Sequence, residues 1–163
     1  MNTKALSEID YFQIRDDISN YCTTEDGKKS FQEKLPLCDE SKIIEEKILG
    51  RECMLYLSSS SKNGIKSYES IKGFLSIIKT NGLSLTLEQV KTIGDFVLSV
   101  KDLKRSVFLA KEKIQIPNLE QKVLSLPDYS ETEKKIFQII TLDGSLRELP
   151  EIVAIRKEIS SLN

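Results

Sequence analysis

Histidine is absent from this 163-residue chain, and its absence excludes much of the common side-chain chemistry. The chain can have no histidine general base, no Ser–His or Cys–His nucleophile pair and no histidine-containing metal site. The three cysteines, Cys22, Cys38 and Cys53, are odd in number, widely spaced and form no Cys-x-x-Cys motif. We interpret them as reduced thiols of a cytoplasmic protein rather than as a disulfide or metal set.

Residues 27–30, Gly-Lys-Lys-Ser, faintly resemble the end of a phosphate-binding loop. Such a loop needs another glycine five residues before its Gly-Lys pair, so that successive backbone N–H groups can surround the phosphates. Position 22 is a cysteine, and no buried strand precedes it. The sequence therefore favours an exposed first turn of a helix.

Cations on one side of a long predicted helix are the candidate for ligand binding: Lys101, Lys104 and Arg105, with Lys111 and Lys113 further on. Phosphate groups are contacted by mobile cations gathered on one face. Asp102 lies among them, however, and lysine-rich helix surfaces are common, so phosphate contact and a solvated face both stay open. The net charge of −1, from 24 basic and 25 acidic side chains, provides no overall cationic field for nucleic acid.

Acidic residues show no catalytic or metal-binding spacing. Three glutamates in one predicted helix are interleaved with cations at helical spacing, which predicts ordinary surface ion pairs; the glutamates are Glu45, Glu46 and Glu52, and the cations Lys42, Lys47 and Arg51. Asp143-Gly144 lacks further acids at ligand spacing, so it is interpreted as a plain turn. The sequence thus predicts no catalytic, cofactor-binding or metal-binding residue.

The apolar pattern has a helical period nearly throughout and predicts an all-α fold of antiparallel helices joined by short loops. Hydrophobic residues make up 39% of the chain, which is enough for a core. Predicted helix starts are Asp10, Thr23 or Thr24, Asp39, Thr86 and Ser130. Apolar helix faces are predicted to carry Ile14, Ile18 and Tyr21, then Ile44, Ile48 and Leu55 with the neighbouring Cys53 and Tyr56, and then Ile71, Leu75 and Ile78.

The long helix that Thr86 opens carries a heptad stripe flanked by Val90 and Val97. The stripe consists of Ile93, Phe96, Val100, Leu103, Val107 and Ala110, and its first five residues are the predicted packing positions. If Phe96 is fully buried, replacing it by alanine should cost about 3–5 kcal/mol. A second stripe, Ile152, Ile155, Ile159 and Leu162, runs to the end of the chain. Stable domains rarely end inside an amphipathic helix, so the pattern predicts the front part of a larger protein.

Several stretches, taken in order, resemble the second type of bacterial MutS-like proteins. The similarity covers essentially the whole chain and lies in its order and spacing, at residues 4–14, 21–28, 35–36, 81–84, 103–105 (Leu-Lys-Arg), 142–145 (Leu-Asp-Gly-Ser), 149 and 155–159 (Ile-Arg-Lys-Glu-Ile). One departure stands out, because Arg147-Glu148-Leu149-Pro150 occupies the place where the family usually carries Asp-Ser-Ala-Ser.

The resemblance implies a helical core or lever domain at residues 1–147 and the start of a truncated coiled-coil clamp arm at residues 148–163. Full-length members continue into a dimerising ABC-type ATPase and usually a small MutS-related nuclease domain, so ATP and magnesium are implied for the whole protein and neither for this fragment. Such proteins bind branched or duplex DNA and restrain homologous recombination, and some act on collided ribosomes.

The leading hypothesis is an N-terminal core fragment with a mechanical role, which itself neither hydrolyses ATP nor cuts nucleic acid. A stand-alone adaptor that binds a partner helix along the stripe in residues 152–162 is one alternative. A small nucleic-acid-binding domain using Lys101, Lys104 and Arg105 is another. The chain has no apolar leader and no window of transmembrane length, which predicts a cytoplasmic protein without a membrane partner.

Overall fold

The computed structural model describes residues 2–59 and 67–148. They form eight helices: α1 (Thr3–Glu8), α2 (Tyr11–Ser19), α3 (Glu25–Gln32), α4 (Glu40–Ser58), α5 (Lys72–Lys79), α6 (Leu87–Lys111), α7 (Pro117–Leu124) and α8 (Ser130–Ile139). Among these residues the extended pairing is limited to one isolated antiparallel bridge, between Ile140 and Leu146. The all-α prediction is confirmed for this part of the chain. The stripe in residues 152–162, and with it the predicted clamp-arm helix, lies outside the described residues.

Three of the predicted helix starts are made by side chains that accept hydrogen bonds from the first turn. Thr24 Oγ1 accepts from the Gly27 amide at 3.1 Å, and Asp39 Oδ1 accepts from the Lys42 amide at 3.2 Å. Thr86 and Gln89 form a reciprocal capping box at the start of α6, with bonds of 3.0 and 3.3 Å. Local sequence alone therefore determines where these helices begin.

The predicted caps at Asp10 and Ser130 are wrong. Asp10 precedes α2 in a left-handed conformation, with φ of 54°, and its side chain makes no capping bond. The connection between α1 and α2 is only two residues long, and this tight reversal replaces the extended backbone of an ordinary N-cap. Ser130 is the first residue of α8, and its amide and hydroxyl both donate to Asp128 Oδ1.

The chain divides into two compact units. Of the described residues, the first comprises 2–59, 67–70 and 99–127, and the second comprises 71–98 and 128–148. Helix α6 contributes its first half to the second unit and its second half to the first. The proposed boundary after residue 147 stays a prediction.

The core of the first unit forms where α4, the end of α6 and α7 meet. Its buried members are Tyr56, Val107, Ala110, Ile116 and Val123, with Leu103, Ile114 and Leu119 packed against them. Burying each large apolar side chain contributes about 1.5–3 kcal/mol. Pro117 occupies the first turn of α7, where the missing N–H of proline costs nothing.

The second unit is held by contacts of α8 and its preceding loop with the first half of α6. Phe96 packs edge to face on Tyr129, with ring centroids 5.8 Å apart. Gly94 is buried, and a Cβ atom at this position would lie 3.2 Å from the Phe137 ring and 3.3 Å from Ile136. The small residue therefore allows α8 to approach α6 closely.

The predicted stripe of α6 is only partly the buried side. Val107 is buried and Leu103 packs on the core, but Ile93, Phe96 and Val100 are half-buried. Ala110 of the stripe is buried as well, and so are four residues outside the stripe: Thr92, Val97, Ser99 and Ser106. Because the two halves of α6 belong to different units, the buried residues of this helix do not follow one continuous stripe. Phe96 is not fully buried, so the cost of about 3–5 kcal/mol for replacing a fully buried phenylalanine by alanine does not apply to it.

Several predicted apolar faces are exposed to solvent within the described residues. Ile14 and Ile18 of α2 and Tyr21 just after it are exposed, and so are Leu75 and Ile78 of α5. No described helix has a stretch long and apolar enough to cross a membrane.

Candidate functional site

Lys104, the central cation of the candidate phosphate set, is engaged within its own unit. Its Nζ donates to the carbonyl oxygen of Leu126 at 2.6 Å and to that of Pro127 at 3.0 Å. Both carbonyls belong to the segment just after α7, near the C-terminal end of that helix, where the helix dipole favours a cation. Lys104 thus fastens the end of α7 to α6.

Lys111, another member of the set, is also engaged. Its Nζ lies 2.5 Å from Glu120 Oε1 and 4.5 Å from the centre of the Phe108 ring. Lys101, Arg105 and Lys113 are exposed. The structure therefore gives two of the five cations roles inside the first unit, and phosphate contact by the set stays a prediction.

Glu52 of α4 is the best-defined buried polar group of the first unit. The residue is 6% exposed, and its carboxylate accepts from Asn118 Nδ2 at 2.6 Å and from the Leu119 amide at 2.7 Å. The Leu119 amide belongs to the first turn of α7, whose N–H groups have no partner within the helix. A carboxylate is especially favourable there because of the helix dipole. Glu52 thus caps a helix that lies more than 60 residues further along the chain.

One turn further along α4, Tyr56 joins that helix to α6. Its hydroxyl lies 2.6 Å from Ser106 Oγ, and both residues are buried. The two residues of α4 stand four positions apart, so they face the same side of the helix. We call Glu52, Tyr56, Ser106, Asn118 and Leu119 the polar joint. No side-chain polar atom that is buried in the described residues lacks a hydrogen-bond partner, so the joint is fully satisfied.

Two predictions about the charged residues of α4 are wrong. Glu52 is a buried helix cap rather than a member of a surface ion pair. Lys42 pairs with Asp39, at 4.0 Å, whereas Lys47 and Arg51 have no ion pair within the described part of the chain. The spacing of Glu52 and Tyr56 was the available signal, since it places the carboxylate on the side of a residue that was predicted to be apolar.

Cys53 lies next to the polar joint and is poorly suited to act as a nucleophile. Burial raises the pKa of its thiol, and the neighbouring Glu52 carboxylate raises it further, against a smaller opposing effect of Lys122. The three cysteines, all within the described residues, are unpaired. In the described ranges no group of three or more potential ligands could hold a metal ion.

The structure agrees with the helix turn predicted at residues 27–30 and with the turn predicted at Asp143-Gly144. Residues 27–30 lie within α3, where the Gly27 amide donates to Thr24, so they form a helix turn and no phosphate loop. At residues 141–145, Asp143 accepts hydrogen bonds from the hydroxyls of Thr141 and Ser145, which lower the pKa of this exposed carboxyl group. Arg147, at the departure from the family pattern, closes this turn through its amide, 2.8 Å from the Ile139 carbonyl oxygen.

The chain is similar to two curated proteins, both named endonuclease MutS2 and both from Lactococcus lactis subsp. cremoris, strains SK11 and MG1363. Each is 27% identical over 173 aligned residues, which cover 99% of this chain and 21% of the relative. The chain thus spans about a fifth of the length of these relatives. No family model matches it, and no solved structure does. The resemblance inferred from the residues is confirmed: over nearly its whole length, the chain is similar to a fragment of a MutS2-like protein.

Proposed function

We propose that the chain is a helical core module of a larger MutS-like protein and that its role there is mechanical. The observation that carries the proposal is the extent of the similarity, which includes 99% of this chain but only 21% of each relative. On this proposal the chemistry resides in other parts of the whole protein, and this chain holds helices in a defined arrangement.

The polar joint supports a role in transmitting movement. Packed cores and satisfied hydrogen-bond networks change between discrete arrangements rather than deforming continuously. Glu52 and Tyr56 connect α4 to α7 and to α6 at the same time. A displacement of α4 would therefore carry both other helices with it.

For the whole protein we propose the activities that the family resemblance implies. ATP and magnesium would be bound by an ATPase domain of a homodimer, and branched or duplex DNA would be the substrate. Suppression of recombination would follow from action on that DNA in the cytoplasm, and collided ribosomes are a second proposed target. The name endonuclease, which both relatives carry, supports the assignment to nucleic-acid processing.

The first experiment is to measure the size of the native polypeptide with an antibody raised against this chain. A band several times heavier than 18.5 kDa in a lysate of the source cells is the expected result. A single band at 18.5 kDa would overturn the proposal, and an independent helical adaptor would become the better explanation.

A second experiment tests mechanical coupling in the native protein. Glu52→Gln weakens the joint without removing bulk, and Glu46→Ala, on the exposed side of α4, is the matched control. We expect Glu52→Gln to reduce the stimulation of ATP hydrolysis by DNA while the rate without DNA stays unchanged. Equal stimulation in wild type and Glu52→Gln would contradict a coupling role for the joint.

The alternative of a small nucleic-acid-binding domain receives less support. Lys104 and Lys111 hold the end and the first turns of α7, which leaves fewer cations for phosphates. Binding of the isolated chain to a DNA duplex that weakens steeply with salt would favour this alternative.

A further inference from the structure

A cleft of about 380 Å³ runs along α4 on the side of the first unit that faces the start of α7. Its apolar walls are Ile44, Ile48 and Leu55 of α4 and Pro117 of α7, and its polar lining is Lys47, Arg51, Glu52 and Gln115. The α4 residues Ile44, Ile48, Arg51 and Leu55 follow one another at steps of four, three and four, so they form one continuous face.

The apolar walls of this cleft are open to solvent. Ile44 is 51% exposed, Ile48 44% and Leu55 46%. These are the residues that the sequence pattern predicted to be packed. Covering them would add apolar burial at about 25 cal/mol per Å².

The lining of the cleft has a net positive charge. Lys47 and Arg51 have no ion pair within the described residues, and both line the cleft. Glu52 brings one negative charge to the lining, but this residue is buried and its oxygens already accept from Asn118 and Leu119, so the two exposed cations outnumber it. An occupant that pairs with this surface must therefore bring carboxylates as well as apolar side chains.

The same charges argue against other occupants. A second copy bound through this face would place Lys47 and Arg51 against the same cations of its partner. The stripe in residues 152–162 is flanked by two cations, Arg156 and Lys157, and by as many carboxylates, Glu151 and Glu158, so it offers no net complementary charge. Duplex DNA would pair with the cations but would leave the apolar walls uncovered.

We propose that this cleft binds an acidic amphipathic helix of a partner protein. Two or three apolar side chains at helical spacing would enter between Ile44, Ile48 and Leu55, and flanking glutamates or aspartates would pair with Lys47 and Arg51. This is the helix-in-groove mode, in which apolar anchors supply affinity and charges select the partner. The proposal does not depend on the assignment to a MutS-like protein.

The test uses the full 163-residue chain and two fluorescent helical peptides. Both peptides carry leucines at steps of four, three and four; one is flanked by glutamates and the other by lysines. In anisotropy titrations we expect the glutamate peptide to bind, more weakly at high salt, and the lysine peptide not to bind. Equal binding of both peptides, or binding of neither, would overturn the proposal.

Matched variants locate the binding surface. Lys47→Glu should weaken binding of the glutamate peptide by about ten-fold or more, whereas Lys42→Glu, which changes the net charge equally outside the cleft, should change it less than about two-fold. Ile48→Asn should also weaken binding, and Leu57→Asn, on an exposed α4 position outside the cleft, should not.

The remaining outcomes are decisive as well. Circular dichroism confirms that each variant is folded, and a variant that is not folded is replaced by Ile44→Asn. Equal losses in Lys47→Glu and Lys42→Glu would indicate unspecific attraction and would refute the cleft as the site. A DNA duplex that displaces the peptide and loses its affinity in Lys47→Glu would assign the cations to nucleic acid instead.

Discussion

Removing the Glu52 carboxylate should destabilise the first unit by about 2 kcal/mol. In Glu52→Ala, the Leu119 amide loses the acceptor 2.7 Å away, and a buried donor left without a partner costs about 1–3 kcal/mol. Asn118 is exposed, so its amide can turn to water at little cost. The lost methylene adds about 0.8 kcal/mol to this cost. Two effects offset part of the cost: alanine has a better helix propensity than glutamate, and a carboxylate no longer has to be desolvated.

Glu52→Gln separates the hydrogen bond from the charge. Glutamine keeps an acceptor oxygen for the Leu119 amide, but a neutral acceptor forms a bond of roughly half the strength. We therefore expect a loss of about 0.5–1 kcal/mol, clearly smaller than for alanine. Glu46→Ala, on an exposed position of the same helix, should stay within about 0.5 kcal/mol of wild type.

Two measurements check this ordering. Urea unfolding followed by circular dichroism gives the change in midpoint, and an unchanged m-value shows that the comparison is sound. Hydrogen exchange of the Leu119 amide reports the bond itself and should be faster in Glu52→Ala than in Glu52→Gln. If Glu52→Ala were no less stable than Glu46→Ala and Leu119 exchanged as in wild type, the proposed cap would be refuted.

Further predictions concern neighbouring groups. Tyr56→Phe should cost about 1 kcal/mol, and its combination with Ser106→Ala should show a coupling energy of at least about 0.5 kcal/mol in a double-mutant cycle; strict additivity would contradict a shared bond. Cys53, whose pKa is raised by burial, should be alkylated at neutral pH more slowly in the folded chain than in urea, and equal rates would argue against burial. The lowered pKa of Asp143 means that its contribution to stability is present above the unfolded-state pKa and is lost as pH falls through the folded-state value. Ser145→Ala should move the pKa of Asp143 upward in an NMR titration, and an unchanged value would rule out the turn hydrogen bond.

Local sequence predicted the helices and several of their starts well. Thr24, Asp39 and Thr86 are capping residues because their short oxygen-bearing side chains reach N–H groups only three positions ahead. Gly144, with φ of 89°, fits the turn predicted at Asp143-Gly144, since a left-handed backbone favours glycine. Such interactions are complete within a few residues, so they depend little on distant parts of the chain.

The sequence was a weaker guide to burial. A helical period shows which side chains share a face, but it does not show which neighbour covers that face. Ile48 and Val107 are equally typical of a core stripe, and yet Val107 is 1% exposed and Ile48 44%. The difference arises because α4 and α7 pack over Val107, whereas Ile48 borders the open cleft.

By itself, therefore, the sequence determined the all-α class, the positions of most helices, the lack of histidine chemistry and the similarity to MutS2-like proteins. Only the tertiary structure decided that Glu52 is a buried cap, that Lys104 and Lys111 hold α7, and that Lys47 and Arg51 border an open apolar cleft. The physical reason is the separation along the chain. Glu52 and the amide that it caps are 67 residues apart, and a hydrogen bond across that distance exists only once the helices between them have packed.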